Sequence, residues 1–217
     1  MLSKYKAFLF DLDGVICDTA KYHYLAWKRL ADMLDIPFDE EANEAFKGVS
    51  RMRCMELLLG FGNRTADQEE MVRLANMKND WYVEYLHEFN RSELLPGALD
   101  VLEECRKRGI KTAICSASKN APIILSRLEI MDYFDAVIDG NKTTKAKPDP
   151  EVFLLGAKEL GVNPTECVIF EDALAGVQAG KSENIYVVGI GKPENLPGAD
   201  IVIDDLAHLD IDSLLNT

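Results

Sequence analysis

Lys6-Ala7-Phe8-Leu9-Phe10-Asp11-Leu12-Asp13-Gly14-Val15-Ile16-Cys17-Asp18-Thr19 is the stretch whose reading decides the fold. Lys6 to Phe10 is a short apolar run closed by a polar, glycine-containing segment, which reads as a buried strand. The run stops at Asp11, and Asp13 follows two residues later. Two acids just past a strand can converge on one small volume. Carboxylate oxygens suit a hard cation such as magnesium, and a positioned aspartate can attack phosphorus. Alone, D-L-D-G also reads as a turn, because Asp and Gly are common turn residues.

Outward from this stretch the chain divides. Residues 20–35 carry apolar side chains at helical spacing, with Tyr24, Trp27, Leu30, Ala31 and Leu34 on one face. Helical patterns follow at 52–59 and 66–89, and no convincing strand pattern lies between Thr19 and Asn90. After Pro96-Gly97 the pattern alternates. Helices are expected at 98–108 (stopped by Gly109), 122–128, 150–160 (stopped by Gly161), 174–180 and 206–215. Strands are expected at 111–115, 136–138, 168–170, 186–189 and 201–203. Alternation of this kind implies an α/β fold with a doubly wound, Rossmann-like parallel sheet covered on both faces. The expected division is a core of residues 1–17 and 93–217 with an inserted small α-helical cap domain at 18–92.

In such sheets, sites form beyond the carboxyl ends of the strands. Three more polar segments stand there. Ser116-Ala117-Ser118-Lys119-Asn120 follows the strand at 111–115; its hydroxyls and amides can cradle a phosphate or simply cap a helix. Lys145-Ala146-Lys147-Pro148-Asp149-Pro150 puts Lys147 just before a helix, where an ammonium can neutralise a transferring phosphoryl group or can be an ordinary solvated lysine. Glu171-Asp172 is a second acidic pair that can complete a metal site or cap a helix. Taken jointly, a nucleophile, acids, hydroxyls and a lysine at four strand ends of one sheet specify phosphoryl transfer far better than any one of them.

Composition narrows the partners. The chain has 217 residues, 24 basic and 37 acidic side chains, and a net charge of −13. That balance argues against a nucleic-acid or anionic-membrane surface, each of which needs a basic footprint. A phosphate-bearing substrate must then be held by a few local Lys and Arg residues. No apolar run is long enough to span a membrane, and no signal peptide is recognised at the start. The five cysteines, Cys17, Cys54, Cys105, Cys115 and Cys167, form no C-x-x-C pair. They read as reduced core thiols of a cytoplasmic protein.

At this point the sequence resembles the haloacid dehalogenase superfamily. D-L-D-G-V, S-A-S-K-N, K-P-D-P and F-E-D-A-L-A-G-V-Q-A are similar to its four motifs in order, and the helical insert is similar to its small cap domain. The likeness extends to the β-phosphoglucomutase family through F-D-L-D-G-V-I-C-D-T-A-K-Y-H, K-G-V-S-R, K-N-D-W-Y-V and E-D-A-L-A-G. The resemblance implies Asp11 as nucleophile and Asp13 as acid/base. It implies one magnesium per chain, held by Asp11, the Asp13 main-chain oxygen and Asp172, with Glu171 at or beside it. Ser116 and Lys147 would hold the transferring phosphoryl group. Arg51 would grip the other phosphate, with Lys47, Gly48, Val49, Ser50, Ala117, Ser118, Lys119 and Asn120 nearby. His23, Trp27 and Lys78 would line the cap face. For His23 and Lys78 the residues alone suggest ordinary helix positions, and for Trp27 cap packing is as good a reading.

The implied reaction interconverts β-glucose 1-phosphate and glucose 6-phosphate, with glucose 1,6-bisphosphate as intermediate and activator, in a monomer whose partners are small sugar phosphates. Three rival readings stand beside it. A phosphatase of a small sugar phosphate would use the same core residues. A hydrolytic dehalogenase would need neither Asp13 nor metal. A non-catalytic sugar-phosphate sensor would have no use for the full set Asp11, Asp13, Lys147 and Asp172.

Overall fold

The computed structural model describes residues 4–46 and 49–216. The chain forms two compact units, Met1–Asp18 with Asn90–Thr217, and Thr19–Phe89.

The first unit is a six-stranded parallel sheet. Its strands are β1 (Ala7–Phe10), β2 (Lys111–Cys115), β3 (Ala136–Ile138), β4 (Cys167–Glu171), β5 (Tyr186–Ile190) and β6 (Ile201–Ile203). Their order across the sheet is β3-β2-β1-β4-β5-β6. β1 is central, with Phe10 level with Ile114 on one side and Phe170 on the other. The strand order therefore reverses at β1, which is where α/β sheets open a crevice at their carboxyl end. Side-chain alternation divides the core into two faces. Ala7, Leu9, Ala113, Cys115, Cys167, Ile169 and Val187 belong to a buried cluster with residues of α7 (Glu151–Leu160) and α8 (Leu174–Ser182). Phe8, Phe10 and Phe170 form an aromatic stack, with Phe10 and Phe170 centroids 4.7 Å apart. Helices α5 (Ala98–Arg108) and α7 end at Gly109 and Gly161 in left-handed conformation, where the sequence places their stops. Helix α6 runs Ala121–Arg127.

The second unit contains α1 (Ala20–Met33), α2 (Glu40–Glu44), α3 (Arg51–Phe61) and α4 (Gln68–Tyr85). Trp27, Leu30, Ala31, Ile36, Phe38, Phe46, Met55, Leu58 and Leu74 make its core. No strand occurs there among the described residues. Asp39 and Asp67 cap α2 and α4, accepting from Ala42 N and Glu70 N at 2.9 Å.

The structure corrects the sequence reading at two places, α2 and the last helix. Helix α2 was not expected, because Glu-Glu-Ala-Asn-Glu has no apolar periodicity; the Asp39 cap and the acidic first turn were its signal. The expected face of α1 is the one that packs: Trp27, Leu30 and Ala31 lie in the helical core, with Tyr24 and Leu34 partly buried against it. Tyr22 and Ala26 are buried as well, Tyr22 edge-on to Phe89. The expected last helix at 206–215 is split into a 3-10 turn, Leu206–His208, and α9, Ile211–Leu215. Asp210 restarts the chain as a cap by accepting from Ser213 N at 2.9 Å.

No helix is long and apolar enough to cross a membrane among the described residues. All five cysteines are buried and unpaired by disulfide. Burial, then Asp13 and Asp11, hold the Cys17 thiol well above its ordinary pKa, which suits a packing residue and not a reactive thiolate.

Candidate active site

The site assembles at the carboxyl end of β1. Asp11 is the first residue beyond that strand, and its amide donates to Phe170 O at 2.9 Å, so it is locked to β4 at the level of Glu171. The chain then turns tightly: Gly14 N donates to Cys17 O at 2.8 Å and Ile16 N to Leu12 O at 3.0 Å. Gly14 has φ +81°, and a Cβ there would stand 2.1 Å from Asp172 Oδ2. Only glycine lets the Asp11–Cys17 turn pass this close to Asp172.

Lys147 is the charge centre. Its Nζ donates to Asp11 Oδ1 at 2.5 Å and to Glu171 Oε2 at 2.7 Å. The side chains are 12 %, 11 % and 1 % exposed, respectively. Burial alone would discharge the ammonium, but Asp11 and Glu171 outweigh it and raise the lysine above its ordinary pKa. The reading of Lys147 as an ordinary solvated lysine is therefore wrong. The Lys147–Pro148 peptide is cis.

Asp11, Glu171 and Asp172 each present a carboxylate oxygen, and the three oxygens lie within 4.8 Å of one another. Burial pushes Glu171 up to about 8, against the pull of Lys147. Burial and then the neighbouring Asp11 push Asp172 up to about 7, and because Asp172 is exposed, water screens the repulsion in part. Hard oxygen donors that repel one another in this way fit magnesium, whose charge would relieve both groups. Asp13 lies outside this carboxylate trio but close enough for its charge to act on Asp172. Glu171 is packed so tightly that a Cβ on Gly176 would stand 2.0 Å from its Cδ.

Ser116 follows β2, is 2 % exposed, and its Oγ accepts from Ser118 N at 3.0 Å. Ser118 Oγ in turn accepts from Asn120 N at 3.2 Å. Gly140 N donates to Ser118 O at 3.3 Å and Asn141 Nδ2 to Lys119 O at 3.2 Å, so the segment after β3 braces this loop. Ala117 and Lys119 are exposed and Asn120 is buried. Helix α6 begins here but has only seven residues, so the loop's own amides and hydroxyls matter more than a helix dipole.

In the helical unit, Lys78 is 2 % exposed. Its Nζ lies 2.8 Å from His23 Nδ1, 4.8 Å from the Trp27 ring and 4.9 Å from the Tyr82 ring. His23 stacks on Tyr82 with centroids 4.0 Å apart. Burial, Lys78 and Arg51 all hold His23 well below its ordinary pKa, so its neutral ring accepts from the ammonium. Arg51 is half-buried at the first position of α3, and Ser50 caps that helix by accepting from Arg53 N at 3.4 Å. Val49 packs against the helical core. Lys47 and Gly48 lie outside the described residues.

Sequence reasoning missed Tyr82, although it lies four residues after Lys78 on the same face of α4. It also missed Gly176 and Glu171 as a steric pair, for which the sequence carries no local signal.

Known proteins resemble this chain over most of its length. Residues 5–184 match the family model described as haloacid dehalogenase-like hydrolase. The chain is 42 % identical to the β-phosphoglucomutase of Bacillus subtilis over 96 % of this chain and 93 % of that one. It is 33 % identical to the phosphorylated carbohydrates phosphatase of Thermotoga maritima, covering 84 % and 85 %. The crystal structure of β-phosphoglucomutase from Clostridium difficile superposes with a TM-score of 0.91 at 43 % identity, covering 98 % of this chain and 96 % of that one.

Proposed function

The chain belongs to the haloacid dehalogenase-like hydrolase family, and we propose that it is a phosphomutase interconverting β-glucose 1-phosphate and glucose 6-phosphate. The observation that carries the chemistry is the buried Lys147 ammonium bridging Asp11 and Glu171 beside Asp172, at the carboxyl end of the central strand. Likeness above 40 % to β-phosphoglucomutases over nearly the whole chain supports the substrate.

In this reading an Asp11 carboxylate oxygen attacks the phosphorus of a bound sugar phosphate. A P–O bond to Asp11 forms as the P–O bond to the sugar breaks, and Asp13 gives its proton to the departing sugar oxygen. In the next transfer Asp13 takes the proton of the attacking sugar hydroxyl, which receives the phosphoryl group from Asp11. With β-glucose 1-phosphate as acceptor the product is glucose 1,6-bisphosphate, whose 1-phosphoryl group then returns to Asp11 and frees glucose 6-phosphate. Lys147 and Ser116 hold the phosphoryl oxygens, and Lys147 shifts its bond from Asp11 to the incoming charge. Magnesium, held by Asp11, Asp172 and the Asp13 main-chain oxygen with Glu171 beside it, would add positive charge where the phosphoryl group is transferred. Arg51 anchors the phosphate that does not react; an arginine can do so through two parallel bonds. Sugar binding is assigned to His23, Trp27, Lys78, Val49 and Ser50 of the helical unit and, separately, to Lys119 and Asn120 of the α/β unit.

The alternative product is inorganic phosphate, and the Thermotoga relative keeps that reading in view. The test supplies magnesium and β-glucose 1-phosphate with a trace of the bisphosphate, and follows glucose 6-phosphate and free phosphate together. The α anomer is the control. Glucose 6-phosphate as main product is expected; free phosphate as main product would replace the mutase by a phosphatase.

A further inference from the structure

Lys147 lies in the twelve-residue connection 139–150 between β3 and α7, a length at which connections without secondary structure are uncommon unless something fixes them. Its ammonium must nevertheless enter a narrow space between Asp11 and Glu171. Several contacts hold this connection. At its start Asp139 accepts from Asn141 N at 2.9 Å, and Lys142 reaches Glu159 at 3.1 Å. Near its end Lys145 pairs with Asp149 at 3.0 Å, and Asp149 N donates to Ala146 O at 3.0 Å. The exposed ion pairs among these are weak in water.

One side chain gathers more donors than any of these. Glu151, the first residue of α7, accepts from Thr144 N and from Lys145 N at 2.7 Å through Oε2, and from Thr144 Oγ1 at 2.9 Å through Oε1. Its own amide is fixed by Asp149 Oδ1 at 3.0 Å. The carboxylate thus ties the backbone two and three residues before Lys147 to a helix that packs on the sheet. Bonds from backbone amides to a carboxylate are directional and charge-assisted, and they fix the main chain itself instead of a mobile tip.

We propose that Glu151 is a positioning residue for Lys147: its carboxylate holds the Thr144–Lys145 amides so that the lysine ammonium enters the space between Asp11 and Glu171. This rests on the reading of Lys147 as the group that holds the transferring phosphoryl, and goes beyond it by naming what aims the lysine.

Four measurements on the full-length protein test it. In the unaltered protein, hydrogen exchange at the Thr144 and Lys145 amides should be slow; exchange at rates of a free loop would overturn the clamp without any variant. Glu151→Ala should slow phosphoenzyme formation about 10- to 100-fold, the scale of a misplacement near 1 Å, with its melting temperature close to that of the unaltered protein. In the same variant Lys147 should become open to an amine-reactive acylating reagent, read by peptide mass spectrometry. Glu151→Gln, whose amide oxygen still accepts from both backbone amides, should restore most of the rate and the protection. Lys147→Ala is measured beside them. If it retains full activity, the phosphoryl-holding role fails, while the labelling of Lys147 still reports on the clamp. If it is inactive but Glu151→Ala is as fast and as protected as the unaltered protein, the clamp fails and the role of Lys147 stands. A purely structural Glu151 would lower the melting temperature of both variants and leave Lys147 protected, which also overturns the proposal.

Discussion

Each unit of this molecule buries a lysine, and the two are solvated differently. Lys147 in the α/β unit is held by two carboxylates, Asp11 and Glu171, at 2.5 and 2.7 Å. Lys78 in the helical unit lies against the neutral Nδ1 of His23 and the faces of Trp27 and Tyr82. The first environment pulls the lysine pKa up; the second leaves its mark on the neighbour, whose imidazole is kept neutral. An ammonium among acids is ready to exchange one anionic partner for another, as a transferring phosphoryl group requires. The ring faces beside Lys78 add quadrupole attraction to its ammonium. In the proposed function the chemistry is assigned to the first arrangement and recognition to the second.

The hardest test of that division is Asp11→Asn. Turnover should fall by on the order of 10⁴-fold or more with the fold intact, the usual scale for loss of a nucleophile. Acid-quenched phosphoenzyme and a melting curve measured together check it, and a folded variant that still forms phosphoenzyme would break the assignment.

Substitution separates the two lysines directly. Lys147→Ala should lower phosphoenzyme formation from a small donor such as acetyl phosphate by about 10²- to 10³-fold. It should also destabilise the α/β unit by about 3 kcal/mol, because Glu171 is left buried without its ammonium. Lys78→Ala should leave the acetyl phosphate reaction nearly unchanged and slow the sugar-phosphate reaction. Equal losses in both reactions for both variants would erase the distinction. Arg51→Ala is expected to follow Lys78→Ala.

Within the acidic trio, Asp172→Asn should raise the magnesium concentration needed for half-maximal rate about 10- to 100-fold. Activity measured against a metal titration reads this out, and full activity after exhaustive chelation would exclude the metal site.

The smallest expected effect is on stability against pH. His23 is depressed below its unfolded value near 6.5, so below that pH the unfolded chain binds a proton that the folded chain refuses. Stability is then lost as pH falls through about 6.5, by at most about 1.4 kcal/mol per pH unit from this group. The groups facing His23 are Lys78, Arg51 and the stacked Tyr82 ring. His23→Asn should flatten that part of the denaturation profile between pH 5 and 7; an unchanged slope would show that the ring is charged in the folded state.

Much of the architecture was legible because it rests on local rules. The runs Phe8-Leu9-Phe10, Ala113-Ile114-Cys115 and Val168-Ile169-Phe170 are apolar on both faces, and a strand buried on both faces has no polar side to show. Gly109 and Gly161 stop α5 and α7 where a left-handed residue is needed. The short, charged α2 escaped notice because its signal is a cap without an apolar stripe.

What the sequence by itself determined is the alternation that makes a parallel sheet and the chain order of Asp11, Ser116, Lys147 and Glu171-Asp172, since periodicity and turn chemistry are properties of neighbouring residues. Which of these side chains meet was decided only by the tertiary structure. The strand order β3-β2-β1-β4-β5-β6 brings Asp11 beside Glu171, 160 positions later. It buries Lys147 between them, presses Gly14 against Asp172 and makes Glu151 a clamp for the loop before the lysine. Such contacts depend on distances across the sheet, and those distances appear only when separate strands are laid side by side.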